Sequence, residues 1–144
     1  MADFLYDVFR GNALGKDDHT YVDLEDATLG VLFVDEADDT PSQAADQDVA
    51  DRLAGSQVPS FATAPNLTGV TVALVSNRAV LDAADLLFAA LTGDPVESFD
   101  LFKDTGTDTT SVLVFNMDSA TGLPLTPSGG DVTIVWNASG ITRY

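Results

Sequence analysis

Apolar residues along this chain fall in short runs and alternations rather than in long helical stripes. The clearest run is Leu29-Gly-Val-Leu-Phe-Val34. Its β-branched and aromatic content and abrupt acidic ending predict a buried strand of about six residues, followed by a turn over Asp35 to Thr40. Thr40-Pro41 then resembles a helix start, with Thr40 as the cap and Pro41 at the first helical position. Ala45, Val49 and Leu53 recur four apart and Gly55 supplies a stop, which predicts a short surface helix from Pro41 to Ala54. Ser56 to Pro65, with Pro59 and Pro65, reads as an extended connector.

From Gly69 onward, β-branched and apolar runs are punctuated by turn signals every ten to fifteen residues or so, as in an antiparallel sandwich. Thr68 to Val75 is the first of these predicted strands. Asn77 to Leu91 fits helix by propensity, yet Leu86, Phe88 and Ala90 alternate, which favours a strand over Asp85 to Leu91. Val96 to Lys103 places Phe99 and Leu101 on one face and Ser98 and Asp100 on the other. Ser111 to Met117 groups Leu113, Phe115 and Met117, and Asp131 to Asn137 groups Val132, Ile134 and Trp136. The connector from Asp118 to Gly130 is too long for a tight hairpin and is stiffened by Pro124 and Pro127. The fold class expected is mainly β: an antiparallel β-sandwich or jelly-roll-like single domain spanning residues 1–144, with one or two short helices.

Composition adds a charge problem to this picture. Six Lys+Arg stand against 23 Asp+Glu in 144 residues, a formal net charge of −17. Such a surface repels nucleic-acid backbones and anionic membranes, so neither is expected as a partner. Residues 17 to 51 hold 12 of the 23 acids and no Lys or Arg, which makes the negative field local. There is no cysteine, so disulfides and thiolate chemistry are excluded. The N-terminus lacks a basic segment ahead of an apolar one, and no apolar run approaches the ~20 residues of a membrane span.

Candidate chemistry is thin. Asp35-Glu36-Ala37-Asp38-Asp39 crowds four carboxylates together but lacks the spacing of a calcium loop, and a solvated acidic turn is the expectation. Asp104-x-Gly106-x-Asp108 could likewise fold around a cation, but Asp and Gly are also what a type I turn or G1-bulge hairpin uses, and a turn is the expectation. His19, the only histidine, lies beside Asp17 and Asp18, with no nucleophile elbow elsewhere to make it a general base. Ser128-Gly-Gly-Asp131 precedes a strand and lacks the Lys-Ser/Thr of a phosphate loop, so a turn with positive φ is expected. The aromatics Phe88, Phe99, Phe102, Phe115 and Trp136 are assigned to the core. These readings predict no catalytic residues, no metal and no cofactor.

Five segments go beyond generic β patterning: Leu81-Asp-Ala-Ala-Asp85, Ala90-Leu-Thr-Gly-Asp94, Leu101-Phe-Lys-Asp-Thr-Gly106, Gly122-Leu-Pro-Leu-Thr-Pro-Ser-Gly-Gly-Asp131 and Val135-Trp136. In this order they resemble small virion structural proteins of tailed bacteriophages, with Ser128 where Asn is usual. The N-terminal half matches only through Asp18-His19-Thr20 and the strand near Val31 to Val34. The resemblance implies a non-enzymatic role in the virion. A capsid decoration or cement protein is expected, made in the host bacterial cytoplasm and carried on the outer capsid surface. Its partner would be the major capsid protein, which it would bridge as a homo-oligomer, a trimer on symmetry grounds. The alternative is a tail, neck or glycan-recognising receptor-binding subunit. Phe4, Leu5, Tyr6, Val8 and Phe9, together with Val58, Pro59 and Phe61, are the candidate partner-binding residues; residues 1–16 are read either as an attachment arm or as the first strand.

Overall fold

The structure is a computed structural model that describes residues 3–7, 9–10 and 24–143, apart from the Arg143 side chain. Its architecture is mainly β, built from antiparallel sheets into a small sandwich-like domain with no helix of seven residues or more among the described residues. The strands are β1 (Phe4–Leu5), β2 (Leu29–Val34), β3 (Gln57–Val58), β4 (Thr71–Val75), β5 (Arg78–Asp82), β6 (Leu86–Phe88), β7 (Ser98–Lys103), β8 (Leu113–Met117), β9 (Val132–Ile134) and β10 (Thr142–Arg143). A five-stranded sheet runs in the order β1-β8-β7-β2-β3, beside a three-stranded sheet β10-β5-β4 and a two-stranded ribbon β6-β9.

The centre is β2 paired with β7, from Leu29 opposite Lys103 to Val34 opposite Ser98. All six β2 residues are buried, which is why this strand reads as an unbroken apolar run rather than an alternation. One face of the sheet, carrying Val31, Phe33, Phe99 and Leu101, packs against Leu81, Leu86, Phe88 and the partly buried Val132, Ile134 and Trp136 of the smaller sheets and their flanks. The other face carries Leu32, Val34 and Phe102 and is covered by Tyr6, Val49 and Phe61. The alternation in Val96–Lys103 is therefore real, but Ser98 and Asp100 face a second buried layer rather than solvent.

Two local features set the registers. A bulge at Leu101/Phe102 pairs Leu101 with Phe115 and Phe102 with Leu113, leaving Val114 over. Leu113 consequently joins the second layer while Phe115 stays in the first. This corrects the expected grouping of Leu113 with Phe115, because one extra residue reverses strand parity. At Gly30, opposite Phe102, an added Cβ would overlap the Phe102 ring and come within 2.9 Å of Asn66 Oδ1. Gly30→Ala is expected to cost about 1–3 kcal/mol by overpacking. Combining it with Phe102→Leu should make the two losses less than additive in urea unfolding, whereas strict additivity would place the strain elsewhere.

The helix expected over Pro41 to Ala54 does not form. The segment has turns and a 3₁₀ turn at Val49–Asp51, and Leu53 is exposed. Acidic side chains compete for the amides a helix would need: Ser42 N–H donates to Asp46, Gln47 N–H to Asp51 and Ala50 N–H to Asp48. Val49 N–H donates across to the Ser111 carbonyl. The connector Ser56–Pro65 contains β3 and a 3₁₀ turn at Phe61–Thr63, and the ambiguous Asn77–Leu91 segment yields two strands, β5 and β6.

Candidate functional site

Covered by the second layer is one cationic side chain in an acidic chain. Arg52 has a fully buried side chain. Its Nε donates to Asp100 Oδ2 at 2.8 Å, Nη2 to Asp46 Oδ2 and to the Tyr6 hydroxyl at 2.6 Å each, and Nη1 to Asp39 Oδ2 at 3.3 Å. Asp100 Oδ1 accepts from Tyr6 at 2.6 Å and from Asn116 Nδ2 at 3.0 Å, and Asn116 also donates to Ser98 Oγ. The guanidinium carbon lies 5.7 Å from the Tyr6 ring centroid.

This constellation follows from chain positions. Asp100 and Ser98 lie on β7 and Asn116 lies opposite Asp100 on β8. Tyr6 directly follows β1, and Arg52 directly follows the Val49–Asp51 turn. Burial pushes the Asp100 carboxyl above its ordinary range, against the pull of Arg52 and of the hydrogen bonds from Tyr6 and Asn116. Burial also raises the Tyr6 hydroxyl, and the Asp100 charge adds to that. Arg52 resists burial because Asp100 favours its charged form. All these groups face one another inside the fold, so the cluster acts as a fastener: it ties the N-terminal strand, the acidic loops and the central sheet at one point.

The acidic tract is thereby divided. Asp39 and Asp46 serve Arg52, and Asp35 is buried with Oδ1 accepting the Ala37 amide. Asp35–Asp39 is thus partly a structural turn rather than a wholly solvated one, since Arg52 and the Ala37 amide hold two of its carboxylates. Asp38 and Asp51 remain exposed. Asp104 Oδ1 accepts the Gly106 amide, with Gly106 at φ +81, as a turn requires. Among the described residues no group of three metal-ligating side chains comes together. Asp17, Asp18 and His19 lie outside the described residues.

The sequence-predicted partner-binding residues do not converge on one open surface. Phe4 and Leu5 pair with Asn116 and Phe115, and Asp3 fastens the strand by accepting from the Asp118 and Ser119 amides. Tyr6 and Phe9 are buried. Within residues 1–16, Phe4–Leu5 form β1, and Val8 and residues 11–16 lie outside the described residues. Val58 is buried opposite Phe33, Phe61 packs on Phe102, and Pro59 is half-buried.

Openings occur elsewhere. A cleft of about 620 Å³ lies beside Trp136, Phe99, Phe33, Met117, Leu123 and Ile134. The Trp136 indole N–H donates to the Ala84 carbonyl and its amide to Asp85 Oδ1. Four of the segments quoted above meet here in two pairs, Trp136 with Ala84–Asp85 and Ala90–Leu91 with Gly129–Asp131, joined through the β6–β9 ladder. Leu91 and Gly129/Gly130 exchange backbone hydrogen bonds, Ala90 N–H donates to Asp131 Oδ1, and Val96 pairs with Leu125. On a separate edge, the β4–β5 hairpin exposes Val72, Leu74 and Val75.

No protein-family model matches the sequence, and no curated protein matches it.

Proposed function

We propose that this protein is a non-enzymatic structural subunit of a tailed-bacteriophage virion, a decoration or cement protein that binds the outer capsid shell and bridges neighbouring major capsid proteins. The observation that carries this reading is the interlocking of the resemblance segments. Ala84–Asp85 bond Trp136, Ala90–Leu91 bond Gly129–Asp131, and the β6–β9 ladder joins the two pairs. Residues that recur for turn geometry and packing suit a scaffold. The Arg52 cluster supports the same reading, because its charged groups are spent on tying loops to the sheet.

Bridging shell subunits adds contacts that exist only in the assembled state, and mass action then raises the free energy needed to separate capsomers. The exposed acids, Asp38 and Asp51 among them, steer docking onto a basic patch of the capsid protein. Imaging of particles carrying a labelled copy tests the placement: copy number is expected to track capsomers, and label confined to the tail would instead favour a receptor-binding role using the cleft beside Trp136. Capsid binding is expected to weaken as salt rises from about 50 to about 500 mM, and a flat salt response would remove electrostatic steering from the mechanism.

A further inference from the structure

Strand β4 is an unprotected sheet edge. It pairs with β5 on one side, and no described residue pairs with its other side. All five of its residues are exposed, Leu74 at 83%. Natural edges are blunted by Lys, Pro, bulges or a covering segment, and Thr71-Val-Ala-Leu-Val75 has neither Lys nor Pro and pairs with β5 in unbroken register. The hairpin turn settles which backbone groups are open. Ser76 and Asn77 have φ of 51° and 64° between the paired Val75 and Arg78, a two-residue turn of type I′ whose closing residues bond each other. Alternate residues of an antiparallel strand direct their N–H and C=O to opposite sides. Val72 and Leu74 therefore present theirs at the open edge.

Charge selects the occupant. From Arg52 through Leu81 the chain has no Asp or Glu, although its net charge is −17; the hairpin carries Arg78 beside its turn, and its one acid, Asp82, lies on β5 at the far end, opposite Thr71. A basic partner gains more on the acidic surfaces. The acid-free edge is where a strongly acidic body approaches with least repulsion, and another copy of this chain is such a body.

We infer that β4 is a self-association edge, on which a second copy of the chain adds its own β4 in antiparallel register about a two-fold axis. With Ala73 at the axis, Val72 of each copy lies opposite Leu74 of the other. Their outward N–H and C=O groups then form a ladder, and their side chains form one apolar strip. An edge pair of this length buries less than a standard interface, so the association is weak and concentration-dependent. It is separate from any three-fold grouping on a shell and does not rest on placement in a particle.

Sedimentation velocity of the full chain from roughly 1 µM to 1 mM tests it. A monomer–dimer equilibrium is expected, with the midpoint moving to lower concentration as salt screens the like charge, opposite in sign to the capsid-docking response. Leu74→Pro removes an N–H that faces away from β5, so the hairpin survives while the dissociation constant rises about tenfold or more. Leu74→Glu leaves the backbone intact and is expected to weaken pairing at least as much; it decides the matter if circular dichroism shows that the proline variant has not folded. A parent chain still monomeric at ~1 mM, or folded Leu74→Glu pairing as tightly as the parent, overturns the inference.

Discussion

Replacing Arg52 with methionine is expected to lower the stability of the fold by about 3–5 kcal/mol, read as a fall in the urea midpoint. The substitution keeps an unbranched apolar stem but removes every donor that Asp100 Oδ2, Asp46 and Asp39 receive from the guanidinium. Asp39 and Asp46 retain some solvent contact, with side chains 19% and 14% exposed, whereas Asp100 has none. The loss therefore concentrates at Asp100, left buried with only the neutral donors Tyr6 and Asn116. Adding Asp100→Leu to Arg52→Met removes the stranded charge and is expected to recover part of the loss. A single variant within about 1 kcal/mol of the parent would mean that the cluster behaves like a surface ion pair and fastens nothing.

Phe99→Ala is expected to cost about 3–5 kcal/mol, the range for a buried aromatic whose cavity collapses only in part. Phe99 is 1% exposed, and its ring meets Phe33, Phe115 and Trp136 at centroid distances of 6.0 to 6.2 Å in edge-to-face arrangements. It also forms part of the floor of the cleft beside Trp136. Trp136 is the only tryptophan, so its fluorescence reports the site directly: emission is expected to shift to the red as water reaches the ring. An unshifted spectrum with an unchanged urea midpoint would contradict the placement of Phe99 at the junction of the sheets.

Some of this architecture is legible along the chain because local pattern and burial agree. Leu29–Val34 is a strand over the residues its apolar run marks, and Ser98–Lys103, Leu113–Met117 and Val132–Ile134 fall inside the segments that alternation selects. Of the aromatics assigned to the core, Phe88, Phe99, Phe102 and Phe115 are buried and Trp136 partly so. The helix over Pro41 to Ala54 fails for a reason propensity does not register: acidic side chains of that very segment hold its amides, and Arg52 is drawn inward. The parity of β8 escapes a local reading because a bulge leaves no mark in the sequence.

The Arg52 cluster is the largest feature that the sequence conceals. Its signal is a single Arg directly after an acid-rich tract, which reads equally as a solvated neighbour of surface carboxylates. Only long-range pairing brings Tyr6, Arg52 and Asp100 together from separations of 46 to 94 residues. The exposed edge is hidden for a related reason. Thr71–Val75 is as β-branched and apolar as a core strand, and what leaves it outside is its position at the end of a three-stranded sheet.

By itself, then, the sequence determined the β class, the central strands, most of the aromatic core and the acidic character, because these depend on composition and on a two-residue period. The tertiary structure decided which faces are buried twice, where the buried charges meet and which edge stays open. Those properties belong to contacts between distant segments, and a one-residue bulge or a strand's place in its sheet changes them without altering the local pattern.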